Sequence, residues 1–223
     1  MQLNPIPTEL TTAATDAILA ILGLVCIRWL SGRREADPAK ATLWALVLGL
    51  LVVASALGAA AHGLALSERA VFWLWQPLYL SLGLVVALFF VASVYDGIGP
   101  AVARRILIPA LVVGGAFYLV TLLFPGTFTV FVLYEAVAMV AALVLYARLA
   151  LRCRRRWAWL MTLGIALNVV AAVIQATRRV RIDIGIPLDH NGVFHLVQMV
   201  AIVVLVAGVV GGLEGTAAGK EED

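Results

Sequence analysis

Seven long apolar runs dominate the chain and restrict what it can fold into. Each is about 20 residues long, the length that an α-helix needs to cross the hydrocarbon core of a bilayer. Of the 223 residues, 63% are hydrophobic and only 13% are charged, whereas a soluble domain carries about a quarter charged residues. We therefore predict an all-α, polytopic membrane protein whose seven transmembrane helices form one bundle. The runs cover residues 8–30, 41–64, 71–94, 104–124, 127–148, 157–176 and 193–213.

The connections between these runs are short, so we expect sequence neighbours to be antiparallel neighbours in the bundle. Residues 1–213 then form a single transmembrane domain. Residues 214–223 are small or charged and predict a disordered cytoplasmic tail. The sequence contains no nucleotide-binding loop and no nucleic-acid signature, and nothing in it indicates an oligomeric state. The partner that it does predict is the lipid bilayer.

Lysine and arginine residues predict the orientation of the bundle. Four of them fall on the side of the N-terminus and the even-numbered connections, and the other twelve of the sixteen fall on the opposite side. Cytoplasmic loops carry the excess of positive charge in membrane proteins. We therefore predict an extracytoplasmic N-terminus and a cytoplasmic C-terminus. As a separate expectation, we place the protein in a bacterial inner (plasma) membrane.

Three histidines are the most informative polar residues of the chain. His62 ends the second run, and His190 and His195 lie at the start of the seventh. The predicted topology brings all three to the extracytoplasmic face. Hydrocarbon solvates an imidazole poorly, so a histidine there needs a partner or a function.

Other ionisable and polar residues are predicted at the same level. Glu9 and Asp16 are seven residues apart and share one stripe of the first helix. Ser55 lies two turns deeper than His62 on the second helix, and Glu135 lies about two turns into the fifth. Further polar side chains at this level are Gln76, Tyr79, Asn168, Gln175, Asp189, Asn191 and Gln198. Because six helices contribute, we expect a shared internal site.

Three histidines can form a zinc site with an open fourth position for water. We therefore predict His62, His190 and His195 as Zn²⁺ ligands. Zinc would activate that water and polarise a carbonyl or phosphoryl oxygen. Glu9, Asp16 or Glu135 would act as the base or orient a ligand histidine, and Ser55 would stabilise an oxyanion.

Simpler interpretations exist for several of these residues taken one at a time. Glu9 and Asp189 can cap the first and seventh helices. Asn168 and Gln198 can form hydrogen bonds between helices. The prediction of a site depends on their convergence.

The pattern of histidines resembles the CREST superfamily, which comprises alkaline ceramidases, progestin and adipoQ receptors and Per1-type lipid remodelling proteins. His62 matches the histidine of the family's second helix, and the segment from His190 to His195 looks like its seventh-helix motif. The resemblance implies a zinc-dependent amidase or related lipid hydrolase. Histidines five apart point about 140° away from each other on a regular helix. We therefore expect His190 on a non-helical entry, or a π-bulge between the two.

Two alternatives to a lipid hydrolase cleaving an amide or ester bond stay open. One is a non-catalytic sensor or carrier that binds a small polar or lipid ligand in the same cavity without metal. The other is a haem protein in which His62 and a seventh-helix histidine bind the iron.

Overall fold

The computed structural model describes residues 2–124 and 128–221, and its main elements are seven helices. The predicted all-α class is confirmed. Every predicted run lies on its own helix, and the bounds agree within four residues except at the C-terminal end of the seventh. Residue 127, the predicted start of the fifth run, lies outside the described residues. The helices are α1 (Pro7–Ser31), α2 (Pro38–Gly63), α3 (Glu68–Gly97), α4 (Pro100–Leu123), α5 (Phe128–Arg152), α6 (Arg156–Thr177) and α7 (His190–Glu221).

Local sequence explains where several helices begin. Pro7, Pro38 and Pro100 stand in the first turn of α1, α2 and α4, where proline loses no helical hydrogen bond. Asp37 caps α2 by accepting from the backbone N–H of Lys40, and Ser67 caps α3 in the same way. At the other end of the chain, α7 continues as helical backbone to Glu221, into the segment predicted as a disordered tail. Residues 222–223 lie outside the described part.

All seven helices are long and apolar enough to cross a membrane. Their outward faces carry large exposed apolar side chains, as on α4 with Ile108, Val112 and Leu119. Water would solvate such faces poorly, whereas lipid tails match them. The fold is therefore compatible with an integral membrane protein.

Six of the helices form a closed ring, and α4 packs outside it. The ring runs in the order α1, α2, α3, α5, α6, α7 and back to α1, because α3 packs on α5 and α1 packs on α7. α4 packs chiefly against α3 and barely touches α5. The expectation that all sequence neighbours are neighbours in space is therefore wrong for α4 and α5. α3 has become the most enclosed helix of the bundle.

We call the end of the bundle where α1, α3, α5 and α7 begin the histidine end, and the opposite end the lysine end. Two short strands, β1 (Ile182–Asp183) and β2 (Pro187–Leu188), form an antiparallel ribbon at the histidine end. The sequence did not indicate this ribbon. It is fastened to α1 because the hydroxyl of Thr11 donates to the carbonyl of Pro187 at 2.7 Å.

A buried ion pair joins five helices at the lysine end. Lys40 Nζ on α2 lies 2.8 Å from Asp96 Oδ1 on α3, and their side chains are 6% and 2% exposed. Tyr146 on α5 donates to Asp96 Oδ2 at 2.7 Å. The ammonium also lies over the ring of Trp157 on α6, at 4.5 Å, and Gly212 on α7 leaves the room that it fills. Lys40, one of the twelve basic residues on the predicted cytoplasmic side, is thus a core residue.

This ion pair makes a specific prediction for stability. Asp96→Asn leaves the Lys40 ammonium buried without its counter-charge, which costs about 3–5 kcal/mol in buried pairs. We expect a clear drop in the thermal unfolding midpoint of the purified protein in detergent. The control is Glu214→Gln in the exposed pair with Arg33, whose side chains are 53% and 48% exposed, where a loss of about 0–1 kcal/mol is expected. Equal shifts for the two variants would contradict a structural role for the buried pair.

Candidate functional site

An elongated cavity of about 400 Å³ lies inside the six-helix ring. Residues of α1, α2, α3, α5, α6 and α7 line it, and none of the described residues of α4 does. Its volume is within the range of about 300–1,000 Å³ usual for small-molecule sites. The six-helix ring therefore encloses this cavity. The sequence predicted seven helices but not this ring arrangement.

The lining contributed by α2 shows how the cavity changes along its length. The helix presents one face at regular spacing from Trp44 to His62, a distance of about 27 Å at 1.5 Å per residue. Near the lysine end this face is apolar, with Val47, Leu48 and Leu51. Towards the histidine end it becomes polar at Ser55 and His62. The cavity is thus long, apolar at one end and polar at the other.

All three histidines line this one cavity. His195 is almost fully buried, while His62 and His190 are partly exposed. Asp16, Ser55 and Glu135 also belong to the lining. Glu9 is not part of the lining but bonds to a residue that is. These residues, singled out in the sequence, therefore lie together, although they come from four helices.

The His62 imidazole is held by a carboxylate on a neighbouring helix. Its Nδ1 donates to Oε2 of Glu9 on α1 at 2.6 Å, and its ring meets that of Trp75 edge-on, with centroids 5.7 Å apart. A carboxylate on Nδ1 fixes the ring and leaves Nε2 as the nitrogen able to accept a ligand. Glu9 thus positions His62. Orienting a histidine was one of the two roles that the sequence predicted for Glu9, the other being that of a base.

His195 has partners on both ring nitrogens, and both are adjacent residues of α1. The Thr15 hydroxyl donates its single proton to the carbonyl of Thr12 at 2.8 Å. It therefore accepts from His195 Nδ1, which lies 2.9 Å away. His195 Nε2 lies 3.3 Å from Asp16 Oδ1. A hydrogen bond there requires one more proton, carried either by the imidazole or by the carboxylic acid.

A glycine on α2 makes the room for Asp16. A Cβ atom at Gly58 would lie 2.7 Å from Asp16 Oδ2 and 3.0 Å from its Cγ, so any larger residue there would collide with the carboxyl group. The close approach of α1 and α2 at this point holds Asp16 against α2 and beside His195.

His190 opens α7 as its first helical residue, and the predicted non-helical entry or π-bulge is not observed. Asp189 precedes it and caps the helix by accepting from the backbone N–H groups of Asn191 and Gly192, at 2.9 and 3.0 Å. The other oxygen of Asp189 lies 3.8 Å from His190 Nδ1. The cavity is wide enough at this end for both His190 and His195 to line it from a regular helix.

Ser55 and Glu135 face the cavity without a hydrogen bond or ion pair among the described residues. Hydroxyls elsewhere in the helices, such as those of Thr42, Ser93 and Thr162, donate to the carbonyl four residues earlier. Ser55 does not. Among the described residues, the buried polar side-chain atoms without a hydrogen-bond partner are Trp44 Nε1 and Gln76 Oε1. The polar atoms of Ser55 and Glu135 are therefore not fully buried, and both reach the open space.

Imidazole and carboxylate groups in the cavity are suitable zinc ligands. Only two of them, on His195 and Asp16, lie close enough together among the described residues, and this pair is not a complete metal site. Within residues 2–124 and 128–221, no group of three or more His, Cys, Asp or Glu side chains is arranged to hold a metal ion. His195 Nε2 and Asp16 Oδ1 are close enough to share one ion. His62 and His190 would have to move towards them.

One family comparison covers almost the whole chain. Residues 11–214 match DUF6962, a family of unknown function. The chain belongs to this family. No curated protein and no solved structure matches it. The matched segment includes every lining residue of the cavity but not Glu9, and nothing in the family match links the chain to the CREST superfamily.

Two residues of this site were not expected from the sequence. Thr15 orients His195, and the signal for it was a hydroxyl directly beside Asp16 in the polar first half of α1. Arg178 lies at the polar end of the cavity, in a left-handed conformation with φ of 54° at the C-cap of α6. It was counted only as a basic loop residue.

The contact between Gly58 and Asp16 can be tested by a double-mutant cycle. Gly58→Ala places a methyl group against the carboxyl and should destabilise the protein by about 1–3 kcal/mol, as overpacking does. Gly49→Ala on the same helix meets nothing within 4 Å and should be neutral or stabilising by up to about 1 kcal/mol. In an Asp16→Ala background the penalty of Gly58→Ala should largely vanish. Thermal unfolding in detergent measures all four, and an undiminished penalty would show that Asp16 is not the neighbour responsible.

Proposed function

We propose that the protein binds a single-chain amphiphilic lipid in this cavity, as a sensor or a carrier. The observation that supports the proposal is the graded lining of one elongated space. The polar part of the ligand would lie among His62, His195 and their carboxylate partners. Its apolar chain would extend towards Trp44.

The cavity lining would match both ends of such a ligand at once. Burying an apolar chain against Val47, Leu48 and Leu51 adds little beyond what lipid already offers, because lipid tails are equally apolar. Affinity and specificity must then come from the polar end. There, hydrogen bonds form inside the protein, where the effective dielectric constant is low and they are stronger than in water. A bare hydrocarbon would gain nothing by entering.

The proposed setting follows from the distribution of lysine and arginine residues. With twelve of sixteen on the lysine-end side, the histidine end would face the extracytoplasmic side of a bacterial inner membrane. The polar end of the cavity would then take up its ligand from the outer leaflet or from the space beyond it. The exposed Arg178 at this end supplies a positive charge for an anionic or polar headgroup.

Blocking the cavity tests this proposal. The probe is a long-chain alcohol that carries a photoreactive diazirine in its alkyl chain, and mass spectrometry maps the crosslinks on the purified protein. We expect saturable labelling of cavity residues such as Leu48 and Leu205. Ala54→Phe fills the cavity and should abolish this labelling. The neighbouring Val53 is exposed on the outer face of α2, so Val53→Phe should leave it unchanged.

Labelling that never saturates, or that is equal in the two variants, would refute a ligand-binding cavity. Residues on the outer, lipid-facing surface of the helices provide the internal reference. They should be labelled without saturation in every variant, because probe dissolved in the detergent reaches them directly.

A second candidate function is zinc-dependent hydrolysis of an amide or ester bond in such a lipid. The observation that favours it is the orientation of two imidazoles. Glu9 and Thr15 occupy Nδ1 of His62 and His195, the arrangement usual behind metal-binding histidines. His62, His190 and His195 would hold the ion, with Asp16 beside them. When bound, zinc would supply an activated water and polarise the carbonyl.

The remaining residues would keep the roles expected from the sequence. Glu135 and Asp16 face the cavity and could receive a proton from an attacking water. Ser55 has an unengaged hydroxyl that can donate to an oxyanion. Glu9 bonds to His62 and so would position a ligand histidine.

Metal analysis separates the two candidates. The hydrolase proposal expects about one zinc per chain in tag-free protein at neutral pH, and a loss of it in His62→Ala, His190→Ala and His195→Ala. Cys153 is an exposed thiol, so Cys153→Ser controls for adventitious binding and should retain the metal. Less than about a tenth of an equivalent of zinc would reject this candidate and leave lipid binding unaffected. A Soret band in the same preparation would instead support the haem alternative.

A further inference from the structure

A lone carboxyl group interrupts the side wall of the cavity. Glu135 lies on α5 between Phe131 and Met139, one turn away on either side, and these three are the described residues of α5 that line the cavity. Glu135 has no hydrogen bond or ion pair among the described residues. A carboxyl group inside a membrane is costly unless it is paired or wetted.

The position of Glu135 along the cavity follows from contacts between helices. Its neighbour Tyr134 donates to the carbonyl of Gly83 on α3 at 3.1 Å. α3 pairs with α2 through Trp75 and His62 at the polar end and through Phe89 and Trp44 at the apolar end. Position 83 lies about halfway between these two ring contacts. Glu135 therefore faces the middle of the cavity, where its wall changes from polar to apolar.

Ser55 marks the same transition on α2 and is also without a partner. A hydroxyl can donate or accept, whereas an ionised carboxylate can only accept. A ligand that left Glu135 unbonded would seal an unpaired carboxyl group in an apolar wall, and this group can accept a hydrogen bond whether or not it is ionised. A ligand that donates a hydrogen bond to it would relieve that cost. The wall thus selects for a donor at this depth.

We propose that Glu135 is a specificity-determining residue that accepts a hydrogen bond from a hydroxyl or protonated amine on the bound amphiphile. The donor lies below the histidines, near the junction between the polar head and the apolar chain. This inference rests on the proposed lipid binding and narrows the class of ligand. Fatty-acid esters and ethers without such a donor would be discriminated against.

Competition against the photoreactive alcohol tests this. The competitors are hexadecylamine, hexadecanol and hexadecyl methyl ether, which share a chain and differ in the donor. With the wild-type protein we expect the amine and the alcohol to compete at least about tenfold better than the ether, because a buried acceptor left without its donor weakens binding. An advantage of the amine alone indicates a cationic donor, and an advantage of both indicates a neutral one. Either result supports the proposal.

Glu135→Met removes the acceptor while keeping the size of the side chain, and it should bring the three competitors to equal potency. The matched control is Glu68→Met, because Glu68 is exposed at the start of α3. It should keep the wild-type preference. If hexadecyl methyl ether competes as well as hexadecanol on the wild-type protein, the role of Glu135 is overturned, even if the variant fails to fold. So would a preference that survives Glu135→Met. A photoprobe that never labels the cavity saturably would instead overturn the proposed function itself.

Discussion

Hydrocarbon provides no hydrogen-bond partners, and this constraint shapes the interior of the bundle. Polar side chains within the helices point inward and pair with one another. His195 contacts Thr15 and Asp16, and Lys40 forms an ion pair with Asp96. Each contact joins residues from different helices. The same pairs that remove the cost of burying polar atoms therefore also fix how α1, α2, α3 and α7 lie against one another.

The two polar centres differ in what surrounds them. At the lysine end, Trp157 and Tyr146 pack around the ion pair and Gly212 leaves room for the ammonium, so both charged groups are paired within the protein. Towards the histidine end, the pairs lie along an open cavity, and Ser55 and Glu135, nearer its middle, have no hydrogen bond or ion pair with any described residue. A closed network stabilises, whereas an open one with free polar groups is suited to a ligand. This contrast, and not the histidines alone, distinguishes a candidate site from a structural centre.

The sequence predicted the parts of this fold that depend on local pattern. Long apolar runs predicted each helix, and alternating topology placed His62, His190 and His195 at one end. The pattern could not predict that α4 leaves the ring, because its apolar surface would suit an inner or an outer position equally well. Nor could it predict that Lys40 would meet Asp96, since a basic residue at a helix end usually remains at the interface. The pairing of Glu9 with His62 depends on the rotation of α1 against α2, which periodicity does not specify.

The two candidate functions place different demands on the same side chains. Lipid binding needs no rearrangement, because the cavity and its free polar groups are already present. Hydrolysis needs His62 and His190 to approach the pair formed by His195 and Asp16. His190 is the first residue of α7, where Asp189 holds the helix end through two backbone hydrogen bonds. A metal could repay that movement only by forming bonds stronger than the cap and the contact between His195 and Asp16. Binding is therefore the smaller requirement, and metal content is the property that decides whether chemistry is added to it.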